Sequence, residues 1–171
     1  ILHFSGIFDV RIERIEGDLT DHYDPKSKVL RLSDSVYDNT SVAAVGVAAH
    51  ECGHAVQDNK GYAPLRIRAA LVPAANIGAT VSWPLILIGI LLGGSKTLIT
   101  LGIILFSLAV LFQLVTLPVE LNASGRAVTI LAETGILQGE EVGQTKKVLF
   151  AAALTYVASA ASMILQLLRL I

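Results

Sequence analysis

The sequence predicts a mainly α-helical membrane protein, in which three transmembrane helices accompany a small α+β part with a short β-sheet. Composition is the first reason: 53% of the 171 residues are hydrophobic and 16% are charged, and the mean hydropathy is +0.65. Soluble globular proteins usually carry about 25% charged residues. The lipid bilayer is therefore the expected environment of much of this chain.

The second reason is the uneven distribution of charge along the chain. Residues 1–68 hold most of the charged side chains, and beyond them charge nearly vanishes except in a polar island at 120–147. We therefore expect a polar part at 1–68 and a membrane helical bundle at 69–171, with the island belonging to the polar side.

Net charge and cysteine content exclude two classes of protein. The formal net charge of −1 excludes a nucleic-acid binder, which needs a clustered excess of Lys and Arg. A single cysteine, Cys52, excludes an intrachain disulfide.

The chain opens at Ile1 and its one methionine is Met163, so we expect a fragment whose upstream sequence is missing. No signal-peptide pattern is visible at 1–20.

Two short strands and one helix are predicted in the polar part. Val10–Ile15 alternates apolar and polar residues, and Lys28–Ser33 has the composition of a second strand. Between them, Asp21–Pro25 has turn chemistry. Thr40 or Ser41 can cap a helix that covers residues 42–57.

Three uncharged runs predict the transmembrane helices, at about 69–95, 97–119 and 148–168. Each exceeds the roughly 20 residues needed to cross the hydrocarbon core. Pro73 and Pro84 predict that the first span is kinked or begins as an interfacial stretch. Gly93–Lys96 predicts a tight turn, which makes the first two spans an antiparallel hairpin and returns the chain to the polar side.

Basic residues predict the orientation of the chain in the membrane. One lysine stands in the turn between the first two spans, whereas the polar side carries six basic residues close to the spans: Lys60, Arg66, Arg68, Arg126, Lys146 and Lys147. By the positive-inside rule, the polar part is expected to face the cytoplasm.

Small residues within 151–162 would allow close helix packing within or between chains, so an oligomer is compatible with the sequence.

A metal-binding motif lies on the predicted helix of the polar part. His50-Glu51-Cys52-Gly53-His54 fits H-E-x-x-H, and residues four apart lie on one helical face, so both imidazoles can reach one zinc ion. Glu51 is rotated by about 100° from His50 and is expected to be the general base that activates a metal-bound water. The alternative is two helix histidines satisfied by other partners. This alternative is disfavoured because histidine and glutamate side chains at the buried end of an apolar helix must be paired or bound to a metal.

A catalytic zinc needs a third protein ligand. The candidates are His3, His22 and a carboxylate, and Glu120 is the best placed because it follows the second uncharged run, where the chain re-enters the polar side. Ala123 and Ser124, one turn beyond it, suggest a helix that packs closely against another. The alternative for Glu120 is an ordinary solvated glutamate at the end of a span.

The chain resembles the YugP-type family of bacterial neutral zinc membrane metallopeptidases. The likeness covers nearly the whole chain, without the N-terminal membrane segment that the family usually has, and it implies a bacterial membrane protein with a gluzincin-like zinc site. The stretches that carry it are Leu19–Pro25, Val29–Tyr37, Ser41–Gln57, Gly61–Leu65 and Leu114–Ser124.

Further site residues follow from the resemblance. Glu120-x-x-Ala123-Ser124 is similar to the E-x-x-A-D element that supplies the third ligand in related integral-membrane peptidases. Ser124 stands where that group has an acid, so Asn122 is an alternative for orienting a ligand histidine.

The resemblance also implies that the strand before the motif helix forms the sheet edge to which an extended peptide adds. The residues that would bind substrate are Val29, Leu30, Arg31 and Leu32, and the alternative is an ordinary sheet strand.

His22, in the predicted turn, could donate a hydrogen bond to the oxyanion of the reaction, although a surface histidine is the more frequent outcome.

Together these features predict an integral-membrane zinc metallopeptidase that cleaves peptide or membrane-protein substrates. The first alternative is a catalytically inactive scaffold that binds metal or partner proteins. A transporter or channel is disfavoured because the three uncharged runs contain no intramembrane charge.

Overall fold

The computed structural model describes residues 1–171, which form two compact units. The first unit consists of Ile1–Tyr62 and Val119–Leu154, and the second consists of Ala63–Pro118 and Thr155–Ile171. Residues far apart in sequence therefore share the first unit, and the polar island at 120–147 lies in it together with the N-terminal segment.

A three-stranded sheet lies in the first unit. Its strands are β1 (Arg11–Ile15), β2 (His22–Asp24) and β3 (Val29–Ser33), in the order β1-β3-β2. β1 runs parallel to β3, and β2 runs antiparallel to it. The two strands predicted from the sequence are confirmed, each beginning one residue later than expected.

β2 lies where a turn was expected. Three residues with turn chemistry form a strand because they pair with β3 across a hairpin, with His22 opposite Arg31 and Asp24 opposite Val29. The turn itself follows β2, where Asp24 accepts hydrogen bonds from the Lys26 backbone N–H and the Ser27 hydroxyl. Tertiary pairing thus overrides a local turn preference.

β3 is the central strand, so the prediction that it offers a free edge to a peptide is wrong. Its backbone pairs with β1 along its whole length and with β2 over Val29–Arg31. Beyond that point, Asp21 accepts a hydrogen bond from the Ser33 backbone N–H at 2.8 Å. The side chains of Val29 and Leu30 are buried, and the free edges of the sheet belong to β1 and β2.

The motif helix α1 covers Val42–Asn59, two residues longer than predicted. Ser41 is its N-cap, because the serine hydroxyl accepts a hydrogen bond from the Ala44 N–H at 3.3 Å. One face of α1 packs on the sheet and the N-terminal segment, in a core of apolar side chains. Buried members of this core are Leu2, Ile7, Leu30, Leu32, Val36, Ala44, Cys52, Ala55, Val56 and Ile130.

Three further helices account for the predicted membrane spans: α2 (Ala63–Leu91), α3 (Lys96–Glu133) and α4 (Glu140–Leu170). All three are long and apolar enough to cross a membrane. α2 continues through Pro73 and Pro84, and it begins six residues before the expected start of the first span. The predicted class, mainly helical with a small α+β part, is confirmed.

α3 extends well beyond the uncharged run that predicted it. Glu120 does not end this helix but lies within it, since the chain continues in α conformation to Glu133. The helix stops only where Gly135 adopts a left-handed backbone with φ of 67°. Most of the polar island is therefore helical, and its first half carries the α3 face that meets α1.

The second unit shows how closely α2 and α3 approach each other. A β-carbon on Gly78 would lie 2.3 Å from the Leu105 carbonyl oxygen, so only glycine allows this contact. The predicted tight turn joins the two helices through Gly93 and Gly94, whose φ angles of 78° and 82° are left-handed.

Candidate metal centre

Two histidines of α1 and one glutamate of α3 converge in the first unit. The ligand atoms of His50, His54 and Glu120 all lie within 4.8 Å of one another. His50 Nε2 lies 3.2 Å from Glu120 Oε2, and His54 Nε2 lies 3.7 Å from Glu120 Oε1. The two imidazole rings stand nearly perpendicular, at 85°. The three side chains thus point their donor atoms toward one point.

This donor set fits zinc. Ligands about 2.0–2.2 Å from a tetrahedral ion lie roughly 3.4 Å from each other, and the two nitrogen–oxygen distances, 3.2 Å and 3.7 Å, lie on either side of that value. His54 and Glu120 are only 8% and 3% exposed. A carboxylate this buried needs a cation or hydrogen bonds as partners. Two imidazoles and one carboxylate, with a coordination position left for water, form a usual catalytic zinc set.

Close contact between two helix backbones brings these ligands together. A β-carbon on Gly53, within the H-E-x-x-H motif, would lie 2.5 Å from the carbonyl oxygen of Ala123. Ala123 is itself fully buried. The expectation that Ala123 lies where α3 packs closely on another helix is confirmed, and Gly53 is the residue that permits the contact.

Each ligand histidine is held by a neighbour through its second ring nitrogen. His50 Nδ1 lies 3.0 Å from the hydroxyl oxygen of Ser124. Ser124, which stands where related peptidases have an acid, is thus within hydrogen-bond distance of one ligand.

The neighbour of His54 is Gln57, which was not predicted from the sequence. His54 Nδ1 lies 3.0 Å from Gln57 Oε1. The Gln57 amide nitrogen donates to the Val119 carbonyl oxygen at 2.8 Å and to Asn122 Oδ1 at 3.0 Å. Asn122 therefore reaches a ligand histidine only through Gln57. The spacing of three residues from His54 on a helix could have identified Gln57.

Comparison with known proteins gives this geometry a context. A family model described as "Putative neutral zinc metallopeptidase" matches residues 1–171. The chain belongs to this family. It is also 49% identical over 171 residues to the "Putative membrane protease YugP" of Bacillus subtilis (strain 168), a match that covers 100% of this chain and 76% of the relative. No solved structure matches the chain.

Zinc, the metal in the family's name, is also the metal that the donor set fits. Glu51 is the remaining charged residue of the H-E-x-x-H motif and follows the ligand His50 directly. Glu51 is 8% exposed. Burial raises the pKa of its carboxyl group, the charges of His54 and His50 lower it, and those of Glu120 and Asp21 raise it; the net shift is upward. A carboxylate with a raised pKa is a better proton acceptor than an ordinary one.

His22 does not join the ligand group, and both of its ring nitrogens are engaged elsewhere. Its Nδ1 lies 2.8 Å from the Thr20 carbonyl oxygen, which can only accept, so this nitrogen carries the proton. Its Nε2 then accepts from Arg31 at 3.3 Å. No N–H remains to donate to an oxyanion, so this geometry does not support the catalytic role expected for His22.

The remaining ligand candidate, His3, also lies outside the group. It belongs to a single 3₁₀ turn, His3–Ser5, and its ring contacts Phe8 with a centroid distance of 5.2 Å. Among the candidates considered for the third ligand, Glu120 alone lies with the motif histidines.

Proposed function

We propose that this chain is an integral-membrane zinc metalloendopeptidase in which His50, His54 and Glu120 hold the ion and Glu51 is the general base. The observation that carries the proposal is the convergence of the three donor atoms within 4.8 Å. Glu51, on the same helix, supplies a buried carboxylate of raised pKa. The family match over the whole chain supports the same chemistry.

The residues of the chain divide the work between binding and proton transfer. When bound, zinc supplies a Lewis acid that polarises the peptide carbonyl and makes the attacking water more acidic. Glu51 takes the proton of that water and delivers it to the nitrogen of the departing amine as the peptide C–N bond breaks. Because Glu51 is buried, bulk water is excluded and the local dielectric constant is lower. The electrostatic interactions of Glu51 with the reacting groups are therefore stronger than they would be in water.

The contacts of the ligands keep the correct nitrogens available. Because Nδ1 of His50 faces the Ser124 hydroxyl and Nδ1 of His54 faces the Gln57 oxygen, the nitrogens that remain to bind a metal are the two Nε2 atoms, which face Glu120. Each imidazole is then held in the tautomer that can bind a metal through Nε2.

Substrates are proposed to be peptides or membrane proteins at the bacterial cell membrane, cleaved on the cytoplasmic side. Two features support this placement: three helices long and apolar enough to span the bilayer, and basic residues such as Lys60 and Arg126 on the polar side of the uncharged runs. The relative's name, "Putative membrane protease YugP", agrees with the membrane location. Association between chains stays a prediction.

The proposal is tested with Glu51→Gln in the detergent-solubilised full chain. The variant should bind one zinc as the parent does and lose cleavage of an unstructured fluorogenic peptide, because an amide cannot accept the proton. The matched control is Glu133→Gln, which neutralises an exposed carboxylate at the end of α3 and should keep full activity. Undiminished cleavage by Glu51→Gln would contradict the mechanism. Zinc binding by a parent chain that cleaves no peptide would favour the inactive scaffold.

A further inference from the structure

A chain of hydrogen bonds leads from the metal ligand His54 to an arginine on α3. Beyond Gln57, the oxygen of Asn122 accepts two hydrogen bonds, one from Gln57 Nε2 at 3.0 Å and one from Arg126 Nε at 2.8 Å. We call Gln57, Asn122 and Arg126 the relay. It joins α1 to α3 on the side of His54 that faces away from Glu120.

Both ends of the relay determine which way each amide points. Arg126 Nε can only donate and the Val119 carbonyl oxygen can only accept. Asn122 must therefore present its oxygen to Arg126, and Gln57 must present its nitrogen to Val119 and Asn122. The oxygen of Gln57 is left to face His54, so Nδ1 of His54 carries a proton and Nε2 is the nitrogen that remains to bind a metal.

The environment of Arg126 indicates why an arginine ends the relay. Arg126 is partly buried, and its guanidinium forms no ion pair with a carboxylate among the salt bridges of the chain. Its hydrogen bond goes to Asn122. Arg126 also lines an open cavity of about 720 Å³, together with Lys60. A partly buried cation usually neutralises an acid, whereas this one holds a neutral amide.

We propose that Arg126 is a positioning residue for the metal centre. It holds the oxygen of Asn122, Asn122 holds the amide of Gln57, and Gln57 holds His54 in the tautomer and ring orientation that bind zinc through Nε2. The proposal rests on the metal ligands of the proposed function. It adds a residue that touches neither the ion nor its ligands.

The first test compares Arg126→Met with Lys60→Met by chelator competition for zinc in the detergent-solubilised full chain. Both changes remove one positive charge from the same cavity, and only the first removes a donor of the relay. Loss of a group that orients a metal ligand typically weakens metal affinity about 10–100-fold. We expect about a tenfold loss for Arg126→Met and none for Lys60→Met. Equal losses would mean that the charge of the cavity matters and the relay does not.

A double-mutant cycle tests whether Arg126 acts through Gln57. Gln57→Leu alone should weaken zinc binding at least as much as Arg126→Met, and the double variant should bind zinc as Gln57→Leu does. The two losses are then not additive because they interrupt one connection. Additive losses would show that Arg126 acts by another route.

Asn122 provides a rescue that separates positioning from folding. Asn122→Asp keeps an oxygen that accepts from both Gln57 and Arg126, so it should retain zinc affinity, whereas Asn122→Leu removes the acceptor and should lose it. The visible absorption of bound Co²⁺ reports the ligand geometry directly; it should change in Asn122→Leu and Arg126→Met and stay as in the parent in Asn122→Asp and Lys60→Met. Equal affinity and spectra in the two Asn122 variants would overturn the proposal.

These measurements need no substrate, so the two proposals fail separately. Coupled zinc affinities in a chain that cleaves no peptide would contradict the peptidase and support the relay. Peptide cleavage by the parent, together with unchanged zinc affinity in Arg126→Met, would contradict the relay alone. A parent chain that binds no zinc would contradict both.

Discussion

The carbonyl oxygen of Ala123 lies 2.5 Å from the place where a β-carbon on Gly53 would stand. One residue of the H-E-x-x-H motif thus has no side chain because the backbone of α3 occupies that space. The contact places Glu120, one turn before Ala123 on α3, opposite the two histidines of α1. Ligand geometry at this centre depends on how closely two helices pack as well as on the ligands themselves.

Gly53→Ala is therefore expected to damage both stability and metal binding. The methyl group meets backbone, which cannot rotate away, and overpacking of this kind typically costs about 1–3 kcal/mol. Thermal unfolding and zinc content in detergent measure the two effects. Gly125→Ala is the matched control, because a β-carbon added at Gly125 would have nothing within 4 Å. In a helix interior, alanine is more stabilising than glycine by about 0.5–1 kcal/mol. A Gly53→Ala variant as stable as the parent would show that α1 and α3 do not meet in this way.

Ser124→Ala should weaken zinc binding, since His50 Nδ1 loses the oxygen that lies 3.0 Å away. The expected loss is about tenfold, measured by chelator competition. Ser124→Asp should bind zinc at least as tightly as the parent, because a carboxylate accepts a stronger hydrogen bond from an imidazole N–H than a hydroxyl does. Unchanged affinity in Ser124→Ala would mean that His50 is oriented by other contacts.

His22→Gln should retain peptide cleavage close to that of the parent. Both nitrogens of His22 are engaged by Thr20 and Arg31, so the ring has no N–H to offer a substrate. Removal of an oxyanion donor typically lowers kcat by about 100-fold or more. Steady-state kinetics distinguish the two cases, and a loss of that size would restore the catalytic role predicted from the sequence.

Tyr23→Phe should destabilise the first unit and alter its response to alkaline pH. The Tyr23 hydroxyl donates to Asp58 at 2.8 Å, a contact worth about 1 kcal/mol for partly exposed groups. Burial and this hydrogen bond raise the pKa of Tyr23 above its usual value. Above about pH 10 the unfolded chain loses the tyrosine proton while the folded chain keeps it. The stability contributed by Tyr23 is present below pH 10 and declines as the pH rises further.

Thermal unfolding of parent and Tyr23→Phe between pH 7 and 11 tests this prediction. The difference in unfolding free energy between the two should be largest at neutral pH and should shrink above pH 10. Lys28 also pairs with Asp58 and is present in both proteins, so its own titration largely cancels in the comparison. A difference that is independent of pH would contradict the raised pKa.

Local patterns in the sequence were sufficient to predict most of the secondary structure. Long uncharged runs predicted α2, α3 and α4, because spanning the bilayer requires about 20 apolar residues whatever surrounds them. Ser41 and the residues after it predicted α1, alternation predicted β1, and strand-like composition predicted β3. The H-E-x-x-H spacing placed His50 and His54 on one helical face, and this depends only on the geometry of an α-helix.

Tertiary structure decided the features that depend on residues distant in sequence. β2 exists because β3 pairs with it, and β3 is central for the same reason, so no pattern within 22–33 could have revealed the edge of the sheet. The orientation of His54 depends on Gln57, whose own amide is oriented by Val119 and Asn122 more than 60 positions away. The residue types and their spacing identified which side chains could bind a metal. Helix packing through Gly53 and Ala123 decided that they meet, because two backbones in contact leave one arrangement of the side chains between them.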